Sequence, residues 1–359
     1  EAAWSGLAAP DKPGILAAGH LLDVLNHLRG TKLLLPPKTQ RQTGIAQHPD
    51  MADVRGQPQA RLALEVAASG GHNLLMNGPP GAGKSMLAAR LPGLLPELQS
   101  QERLEISVIE SLSSPRGGIR LADQRPFRAP HHSASMAALI GGGRQAKPGE
   151  ISLAHCGVLF LDELPEFSRQ ALDALRQPIE TGRVEVARAE AHVAYNADFQ
   201  LIAAMNPCRC GHAGDPDLAC HRLPRCRQEY LSKVSGALFD RFDIRIDVPP
   251  VALSSMLSEE KGEPSSAIME RVAAAQKRQY QRQDCLNVRL DGDRLRELAS
   301  PDTAGQKLLD AIIEDGRMTA RGFNRVLRVA RTLADLQARE LSSAADIATA
   351  LTWRGVSLS

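Results

Sequence analysis

The residue types in segment 78–85 could bind a phosphate group. The segment reads Gly-Pro-Pro-Gly-Ala-Gly-Lys-Ser, and a stretch that we expect to be helical follows it. Glycines allow the backbone to curl until several N–H groups face one anion, and the first turn of a helix adds its positive dipole end. Lys84 would give a point charge to the β- and γ-phosphates, and the Ser85 hydroxyl would bind Mg²⁺. The predicted nucleotide-binding residues are Gly78, Pro79, Pro80, Gly81, Ala82, Gly83, Lys84 and Ser85.

Two acids at the end of a later apolar run complete this chemistry. Asp162 and Glu163 follow the run Val158–Leu161, where carboxylates can hold Mg²⁺ and deprotonate water. We expect Asp162 to contribute to the Mg²⁺ shell and Glu163 to be the general base. A solvated turn is the ordinary explanation of two acids at a strand end, but the phosphate loop upstream favours the catalytic one. The sequence therefore predicts that the chain binds ATP with Mg²⁺ and hydrolyses it.

Four of the six cysteines lie close together in a segment of loop-like composition. This four-cysteine cluster consists of Cys208, Cys210, Cys220 and Cys226. Four thiolates suit tetrahedral Zn²⁺, and a set with no open position predicts a structural ion. The alternative is four free thiols, because Cys-x-Cys is not the usual Cys-x₂-Cys spacing. His212 and His221 could replace a cysteine that does not reach the metal, and Cys156 and Cys285 are expected to be inert.

The composition is that of a globular protein with more than one domain. The 359 residues are 43% hydrophobic and 23% charged, which predicts two or three domains. The formal net charge of +2 gives no strong overall field, so nucleic-acid binding would need local basic patches. We find no leader and no apolar run long enough to cross a bilayer, and we expect reduced cysteines. These features predict a cytoplasmic protein with no membrane partner.

Short apolar runs that alternate with helical stretches predict an α/β fold. Such runs occur at Asn73–Met76, Gly157–Leu161, Phe199–Met205 and Ile244–Val248. Strands that are apolar throughout and separated by helices indicate a parallel sheet covered on both faces. The segment 251–265 is typical of a linker, and the periodicity beyond it is helical only, most clearly over Thr319–Glu340. We expect a parallel sheet sandwiched by helices, followed by a C-terminal all-helical domain.

Two further segments interrupt this alternating pattern. Arg183–Arg188 and Ala191–Tyr195 alternate like the two strands of a hairpin arm. Phe127–Ser133 is typical of a loop or a short hairpin outside the core. Residues 1–45 look peripheral and contain one amphipathic stretch, Leu21–Leu28.

Together, these motifs resemble the AAA+ ATPases, and within them the magnesium chelatase-like group with its ComM (YifB) competence-type proteins. The resemblance rests on Ala52–Gln57, Arg125–His132, Pro148–Phe167, Ala204–Cys208 and Ser235–Asp243. It implies a P-loop AAA+ core over residues 46–250, with the cysteine-rich insert at 208–226, and a helical lid domain over 265–359. Residues 1–45 would be the remnant of an N-terminal domain or a linker.

The resemblance adds three residues to the predicted nucleotide site. Val54 and Gln57, in the segment before the phosphate loop, are expected to contact the nucleotide. Asn206 resembles sensor 1, an amide at a strand end that responds to the γ-phosphate. Without the resemblance, a polar strand terminus would be the simpler explanation of Asn206.

Two arginines resemble residues that act on the nucleotide from elsewhere. Arg241 resembles the arginine finger, which stabilises transition-state charge on a neighbouring subunit's nucleotide. Its alternative is a salt bridge to Asp240 or Asp243. Arg321 resembles sensor 2 at the start of a lid helix, and its alternative is an ordinary charge at a helix N-terminus. A finger that acts on a neighbour requires a ring, and the family implies a homohexamer.

The resemblance also gives the two interrupting segments a role. Residues 127–143 resemble a helix-2 insert and residues 183–195 a hairpin before sensor 1, which in ring motors project into a pore that holds nucleic acid. Basic side chains there could contact DNA phosphates, although such side chains are more often merely solvated. The candidates are Arg183 and Arg188, followed by Arg128 and Lys147.

The resemblance implies an ATP-driven hexameric DNA motor. Its expected work is branch migration on single-stranded or branched DNA during natural transformation. One alternative is the ATPase subunit of a magnesium chelatase, against which the cysteine cluster and the Ala-Pro-His-His sequence argue. Another is an AAA+ ATPase that remodels proteins. A structural ring without catalysis is disfavoured because every predicted catalytic residue type is present.

Overall fold

The computed structural model of the chain describes residues 16, 18–35, 48–113, 121–143, 146–188, 191–211, 213, 220–251, 262–314, 316 and 318–356. Side chains are described throughout these ranges except at 187, 188, 191 and 192. Among the helices in these ranges, none combines the length and the apolar character that a membrane crossing requires.

The elements in these ranges are helices, strands and short 3₁₀ turns. The helices are α1 (Leu21–Leu28), α2 (Pro58–Gly70), α3 (Lys84–Ala88), α4 (Ser100–Ser113), α5 (Met136–Ile140), α6 (Glu150–Leu153), α7 (Arg169–Ala174), α8 (Arg176–Thr181), α9 (Arg225–Leu231), α10 (Gly236–Phe239), α11 (Ser265–Gln283), α12 (Gly292–Leu298), α13 (Thr303–Glu314), α14 (Ala320–Leu336) and α15 (Ala344–Trp353). The strands are β1 (Leu74–Asn77), β2 (Phe127–Arg128), β3 (Gly141–Gly142), β4 (Lys147–Pro148), β5 (Val158–Leu161), β6 (Arg183–Arg188), β7 (Ala191–Asn196), β8 (Gln200–Met205) and β9 (Ile244–Asp247). The 3₁₀ turns are Met51–Asp53, Leu91–Leu94, Leu164–Glu166 and Asn287–Arg289.

Five parallel strands form the central sheet in the order β2-β5-β8-β1-β9. Successive residues of a strand face opposite sides, so Leu75 and Leu159 join one hydrophobic core whereas Met76 and Phe160 join another. Both faces are therefore covered, which explains why the strands are apolar throughout. The predicted α/β fold is confirmed, together with the four strands that the apolar runs indicated.

The fifth strand, β2, corrects one prediction. It pairs in parallel with the first half of β5 at the sheet edge, whereas the sequence predicted a loop or hairpin outside the core. The Phe127 ring stacks on Phe160 with 6.0 Å between ring centroids. A strand of two residues between Pro126 and Pro130 is too short to give a periodic signal, so the sequence pattern missed it.

Strands β6 and β7 form the predicted hairpin as an antiparallel pair, with Arg183 opposite Asn196. The inner face of the hairpin packs into the second core through buried side chains such as Val184. The Tyr195 hydroxyl donates a hydrogen bond to the Ala146 carbonyl oxygen at 2.7 Å. These contacts fix the base of the hairpin on the body of the domain.

The C-terminal helices α11–α15 form the predicted helical region, and α11 and α14 pack against α2 of the core. A buried ionic cluster holds them together. Asp335 accepts hydrogen bonds from Arg282 at 2.6 Å, Arg331 at 2.7 Å and Asn287 at 2.8 Å. Burial acts to raise the pKa of Asp335, but these donors hold it below its usual value. The cluster fixes α14, whose first turn carries Arg321.

Candidate functional site

The phosphate loop, segment 78–85, joins β1 to α3 at the carboxyl end of the sheet. Gly83 caps α3 with φ 85°, in the left-handed region that favours glycine. A Cβ at Gly78 would lie 2.2 Å from the Val248 carbonyl oxygen, so a side chain has no room there. The Gly78 N–H donates to the Met205 carbonyl at 3.2 Å. The loop is therefore held between β8 and the chain that follows β9.

The Lys84 side chain lies at the base of this loop, and only 8% of the residue is exposed. Its ammonium group donates to the carbonyl oxygens of Gly78 at 2.8 Å and Pro79 at 2.9 Å, and to Asn206 Oδ1 at 3.2 Å. Burial lowers the pKa of Lys84, and the two carboxylates that follow β5 oppose that shift. The lysine charge is thus fixed at the junction of the loop and β8.

Ser85 and Asp162 meet beside the loop. The Ser85 hydroxyl donates to Asp162 Oδ2 at 2.5 Å, and Asp162 Oδ1 accepts the backbone N–H of Glu163 at 2.9 Å. Mg²⁺ in proteins takes one or two such oxygen ligands and completes its octahedron with water and phosphate oxygens. The converging hydroxyl and carboxylate therefore fit Mg²⁺.

Glu163 lies next to this pair with a half-exposed carboxylate and a partner that the sequence did not reveal. The His132 Nδ1 atom lies 3.2 Å from Glu163 Oε2, and the His131 ring packs on His132 with 4.1 Å between centroids. Both histidines follow β2, which neighbours β5, so the sheet topology brings them to the acid. The adjacent histidines were visible in the sequence, but they were assigned to a loop or insert outside the core, with no expected contact to Glu163.

Asn206 follows β8, which lies between β5 and β1 in the sheet. Because neighbouring parallel strands point the same way, the segments that leave their carboxyl ends meet at one edge, where α/β proteins bind ligands. The predicted site residues that the structure brings together there are Lys84, Ser85, Asp162, Glu163 and Asn206.

Gln57 and Val54 support the phosphate loop from the preceding segment. The Gln57 side-chain amide donates to the Ala82 carbonyl oxygen at 2.7 Å, which ties the loop to the start of α2. Val54 is fully buried in the first hydrophobic core. Val54 therefore has no exposed surface for a nucleotide to contact, whereas Gln57 already contacts the loop.

Arg241 lies elsewhere, in a cavity of about 740 Å³ between the core and the lid. Its guanidinium donates to Glu180 Oε1 and to the Ala237 carbonyl oxygen, both at 2.5 Å. The alternative explanation, a salt bridge to Asp240 or Asp243, is therefore wrong, because those aspartates pair with arginines of the lid. The Arg241 Nε atom is buried and has no hydrogen-bond partner among the described residues.

Arg321 lines the same cavity from the first turn of α14. Its side chain is exposed and forms no ion pair within the described ranges, whereas two further lid arginines of the cavity are paired with aspartates. No residue of the phosphate loop 78–85 lines this cavity. The structure thus groups Arg241 with Arg321 and separates both from the chain's own phosphate loop.

The four-cysteine cluster converges on one point. All four Sγ atoms lie within 4.8 Å of one another, and those of Cys208 and Cys210 are 3.2 Å apart. Zn–S bonds of about 2.3 Å in a tetrahedron place sulfur atoms ~3.8 Å apart, so the thiols fit Zn²⁺. Cys208 and Cys226 are buried, and Cys210 is exposed. His221 is not part of the cluster, and His212 lies outside the described residues.

A second group of ligand-type residues, Glu105, His155 and Cys156, does not favour a metal. His155 Nδ1 accepts the backbone N–H of Asp198 at 3.1 Å, which assigns the imidazole proton to Nε2, 2.8 Å from Glu105. Burial, together with nearby acids, raises the pKa of Cys156 to about 12. The thiol is therefore protonated at neutral pH, and a protonated thiol is a poor nucleophile and metal ligand.

The candidate DNA-contacting residues differ in their surroundings. Arg183, at the start of β6, and Lys147, in β4, are exposed. Arg128 lies in β2 and donates to both carboxylate oxygens of Glu150 at 2.7 Å. This pairing occupies the Arg128 guanidinium and makes it the weakest of the candidates. The Arg188 side chain lies outside the described residues.

Two family models match the chain. The model described as magnesium chelatase, subunit ChlI, matches residues 50–256, and the model of the C-terminal part of that subunit matches residues 262–354. The first match contains the phosphate loop, both acids and the four-cysteine cluster. The second contains helices α11–α15 of the lid.

Curated relatives give the same assignment. YifB of Escherichia coli K12 is 43% identical over 346 residues, which cover 96% of this chain and 68% of YifB. The competence protein ComM of Haemophilus influenzae is 41% identical over 343 residues, which cover 94% of this chain and 67% of that protein. The magnesium-chelatase 67 kDa subunit of Chlorobaculum parvum is 30% identical over 149 residues, or 42% of this chain and 21% of the subunit. The chain therefore belongs to the magnesium chelatase-like AAA+ family, in the group that includes ComM and YifB.

Proposed function

We propose that the chain is the subunit of a ring-forming enzyme that hydrolyses ATP with Mg²⁺. The observation that carries this proposal is the meeting of five side chains at one sheet edge: Lys84, Ser85, Asp162, Glu163 and Asn206. Phosphoryl transfer requires a cation for the phosphates, oxygen ligands for Mg²⁺, a base for water and a polar group near the γ-phosphate. Each requirement has a residue here.

Each side chain has one task in this proposal. Lys84 exchanges its bonds to the loop carbonyls for bonds to phosphate oxygens, and Ser85 and Asp162 hold Mg²⁺. When bound, Mg²⁺ neutralises the charge that develops on the phosphates. Glu163 accepts the proton of the attacking water. Asn206, already in contact with Lys84, senses the γ-phosphate.

We infer a homohexameric ring from the position of the arginines. Arg241 and Arg321 line a cavity that contains no residue of the phosphate loop, which supports their action on a neighbouring subunit's nucleotide. Arginines that stabilise transition-state charge can be supplied by a neighbouring subunit. A closed ring would give every nucleotide site the arginines of the next subunit.

We infer further that the ring moves DNA. The relative from Haemophilus influenzae is named competence protein ComM, which supports a role in natural transformation, with branch migration of recombination intermediates as the expected activity. Arg183 is exposed on the hairpin β6–β7, where a positive charge can meet a phosphate backbone. Lys147, exposed on β4, is the next candidate.

The similarity to a magnesium-chelatase subunit supports a second candidate function. In that case the same ATPase would drive a chelatase-like complex or remodel another protein, and DNA would not be its partner. The two functions share the nucleotide site, so only the response of ATP hydrolysis to DNA distinguishes them.

We also propose a structural Zn²⁺ in the four-cysteine cluster, because its four sulfur atoms converge within 4.8 Å of one another, close to the spacing of tetrahedral coordination. All six cysteines are free, which suits the cytoplasm, where thiols remain reduced. The metal would have no open position and therefore no catalytic part.

The test is ATP hydrolysis measured at fixed salt with no DNA, single-stranded DNA, duplex and a four-way junction. If the chain is a DNA motor, DNA raises turnover severalfold, and the double variant Arg183→Ala/Arg188→Ala loses most of that stimulation while keeping basal turnover. The matched control is Arg296→Ala/Lys307→Ala, which removes two exposed charges from the lid. Hydrolysis that is indifferent to every DNA would reject the motor in favour of the chelatase-like or remodelling function.

A further inference from the structure

The four-cysteine cluster touches the nucleotide site at three points, and the first is the phosphate loop itself. Gly211, which follows Cys210, has φ 85°, and a Cβ built there would lie 2.6 Å from Pro80 Cδ and 2.8 Å from Pro80 Cγ. The cysteine segment therefore packs directly against the proline ring of the phosphate loop, and only glycine leaves room for this contact.

The second point is the strand end that carries Asn206. Cys208 lies two residues after Asn206, and Asn206 Oδ1 accepts a hydrogen bond from Lys84 at 3.2 Å. Cys208 is fully buried, and its carbonyl oxygen accepts the Gly211 N–H at 3.0 Å. A short, tightly turned segment thus connects the sensor amide to the first two thiols of the cluster.

The third point comes from the opposite side of the cluster. Cys226 and Tyr230 both belong to α9, and both are buried. The Tyr230 hydroxyl lies near the backbone of Asn206. The two halves of the cluster therefore reach the same residue, one through the chain after β8 and the other through α9.

Among the described residues, few apolar contacts around the thiols join these two halves. Cys210, His221, Arg222 and Arg225 are exposed, so apolar burial around the thiols is small. Contacts between neutral thiols are weak. A metal ion with four thiolate ligands would join the β8 side to the α9 side by four strong bonds, and it would fix the contacts on Pro80 and Asn206.

We propose that Zn²⁺ held by the four-cysteine cluster joins the β8 side to the α9 side and so positions Pro80 and Asn206 for ATP. Zinc occupancy then sets the affinity of the phosphate loop for nucleotide. The proposal rests on the nucleotide-binding function proposed above. Because coupling free energies are reciprocal, bound nucleotide must also raise the affinity for zinc by the same factor.

The first experiment compares one protein with and without its metal. The zinc content is measured by elemental analysis, and the Kd of a fluorescent non-hydrolysable ATP analogue is measured before stripping with a chelator, after stripping, and after Zn²⁺ is returned. We expect about one zinc per chain and a Kd about tenfold higher in the stripped protein, restored by Zn²⁺ and not by additional Mg²⁺. The variant Cys208→Ser/Cys226→Ser should match the stripped protein, whereas Cys285→Ser should match the wild type.

The second experiment changes the contact and leaves all four thiols in place. Gly211→Ala would push a methyl group into Pro80, and we expect the Kd for the analogue to rise about fivefold while zinc is retained. The matched control is Gly292→Ala, a glycine with φ 58° whose added Cβ would meet no atom within 4 Å. At equilibrium with a chromogenic chelator, more zinc should remain on the protein when the analogue is bound.

The outcomes separate this coupling from the function on which it rests. A folded protein that binds no Zn²⁺, or a Kd that changes by less than about twofold on stripping, would overturn the proposal. Zinc-dependent nucleotide binding without hydrolysis would leave the coupling in place and reject the ATPase. A zinc-loaded chain that does not bind the analogue would contradict both.

Discussion

Two polar regions of this chain carry different parts of the chemistry that phosphoryl transfer needs. At the carboxyl edge of the sheet, one lysine is surrounded by oxygen atoms, and the carboxylates of Asp162 and Glu163 face outward beside it. In the cavity between core and lid, Arg241 and Arg321 are placed together and no residue of the phosphate loop is present. The first region can hold a nucleotide and activate water. The second is lined by arginines and acids together, and its arginines could stabilise negative charge that is brought to it.

In the proposed ring, one chain would carry the two halves of a composite site on separate surfaces. Lys84 is held by three hydrogen bonds within its own region. Arg321 has no ion-pair partner in the described part of the chain, and Arg241 is paired with Glu180, whose side chain is 57% exposed. The Arg241 guanidinium is largely buried, so a neighbouring subunit could reach this pair only from the exposed Glu180 side.

The largest effect is expected at the water-activating half. Glu163→Gln keeps the shape of the side chain but removes the base, so we expect turnover to fall by about 10⁴-fold while binding of the ATP analogue is retained. The measurement is steady-state ATP hydrolysis with parallel binding of the analogue. Glu166→Gln, which removes a nearby acid paired with Lys233, is the control and should stay close to wild type. Unchanged turnover in Glu163→Gln would assign the base to another residue.

The next largest effect tests whether the two regions come from different subunits. Arg241→Ala removes the charge-stabilising half, and we expect a fall in turnover of about 10³-fold. Mixing it with a Lys84→Ala chain should restore part of the activity, because some interfaces then combine an intact phosphate loop with an intact arginine. Activity is measured across a series of mixing ratios.

The matched control for this complementation is a mixture of Lys84→Ala and Glu163→Gln chains. Both changes fall on the same half of the site, so no interface in that mixture is complete and turnover should stay low. If the Arg241→Ala mixtures also stay low at every ratio, the arginine acts on the nucleotide of its own chain.

The smallest expected effect is on the pH dependence of stability, through a contact between the core and the lid beside the cavity. His72 is fully buried, its Nε2 lies 2.8 Å from Thr332 Oγ1 of α14, and burial lowers its pKa from 6.5 to about 4. The unfolded chain therefore gains a proton as the pH falls through 6.5, whereas the folded chain does so only near 4. Above pH 6.5 His72 is neutral in both states, so the stability that depends on its neutral form is fully present. As the pH falls from 6.5 toward 4, protonation of the unfolded chain removes that stability.

We expect this loss to reach about 2 kcal/mol near pH 5, seen as a steeper fall of Tm with acid in the wild type than in His72→Gln. Glutamine can keep a hydrogen bond to Thr332 but does not titrate in this range. Parallel curves of Tm against pH for the two proteins would show that His72 does not control the loss of stability in acid.

Much of the nucleotide edge could be predicted because its signals are local. The phosphate loop is one contiguous motif, the acids follow a buried strand, and the apolar runs are long enough to indicate strands. The pairing of β6 with β7 followed from alternation over two adjacent segments. Each of these features is encoded by neighbours in the sequence.

The features that the sequence did not predict depend on segments that meet only in the folded chain. Strand β2 has two residues and no periodicity, so His132 could not be placed beside Glu163. Glu180 lies far in sequence from Arg241, and acids adjacent to Arg241 were the natural guess for its partner. The contact of Gly211 with Pro80 arises from two turns whose approach no pattern encodes.

The absence of the phosphate loop from the arginine-lined cavity has a genetic consequence. If each site is shared by two subunits, every subunit takes part in two sites, one through its loop and one through its arginines. A subunit that lacks either its functional loop or its arginines inactivates one interface, whereas a subunit that lacks both inactivates the interfaces on its two sides. An allele with both defects would therefore lower the activity of mixed assemblies about twice as steeply as an allele with one defect. Such an allele should be dominant over the wild type at a lower dosage.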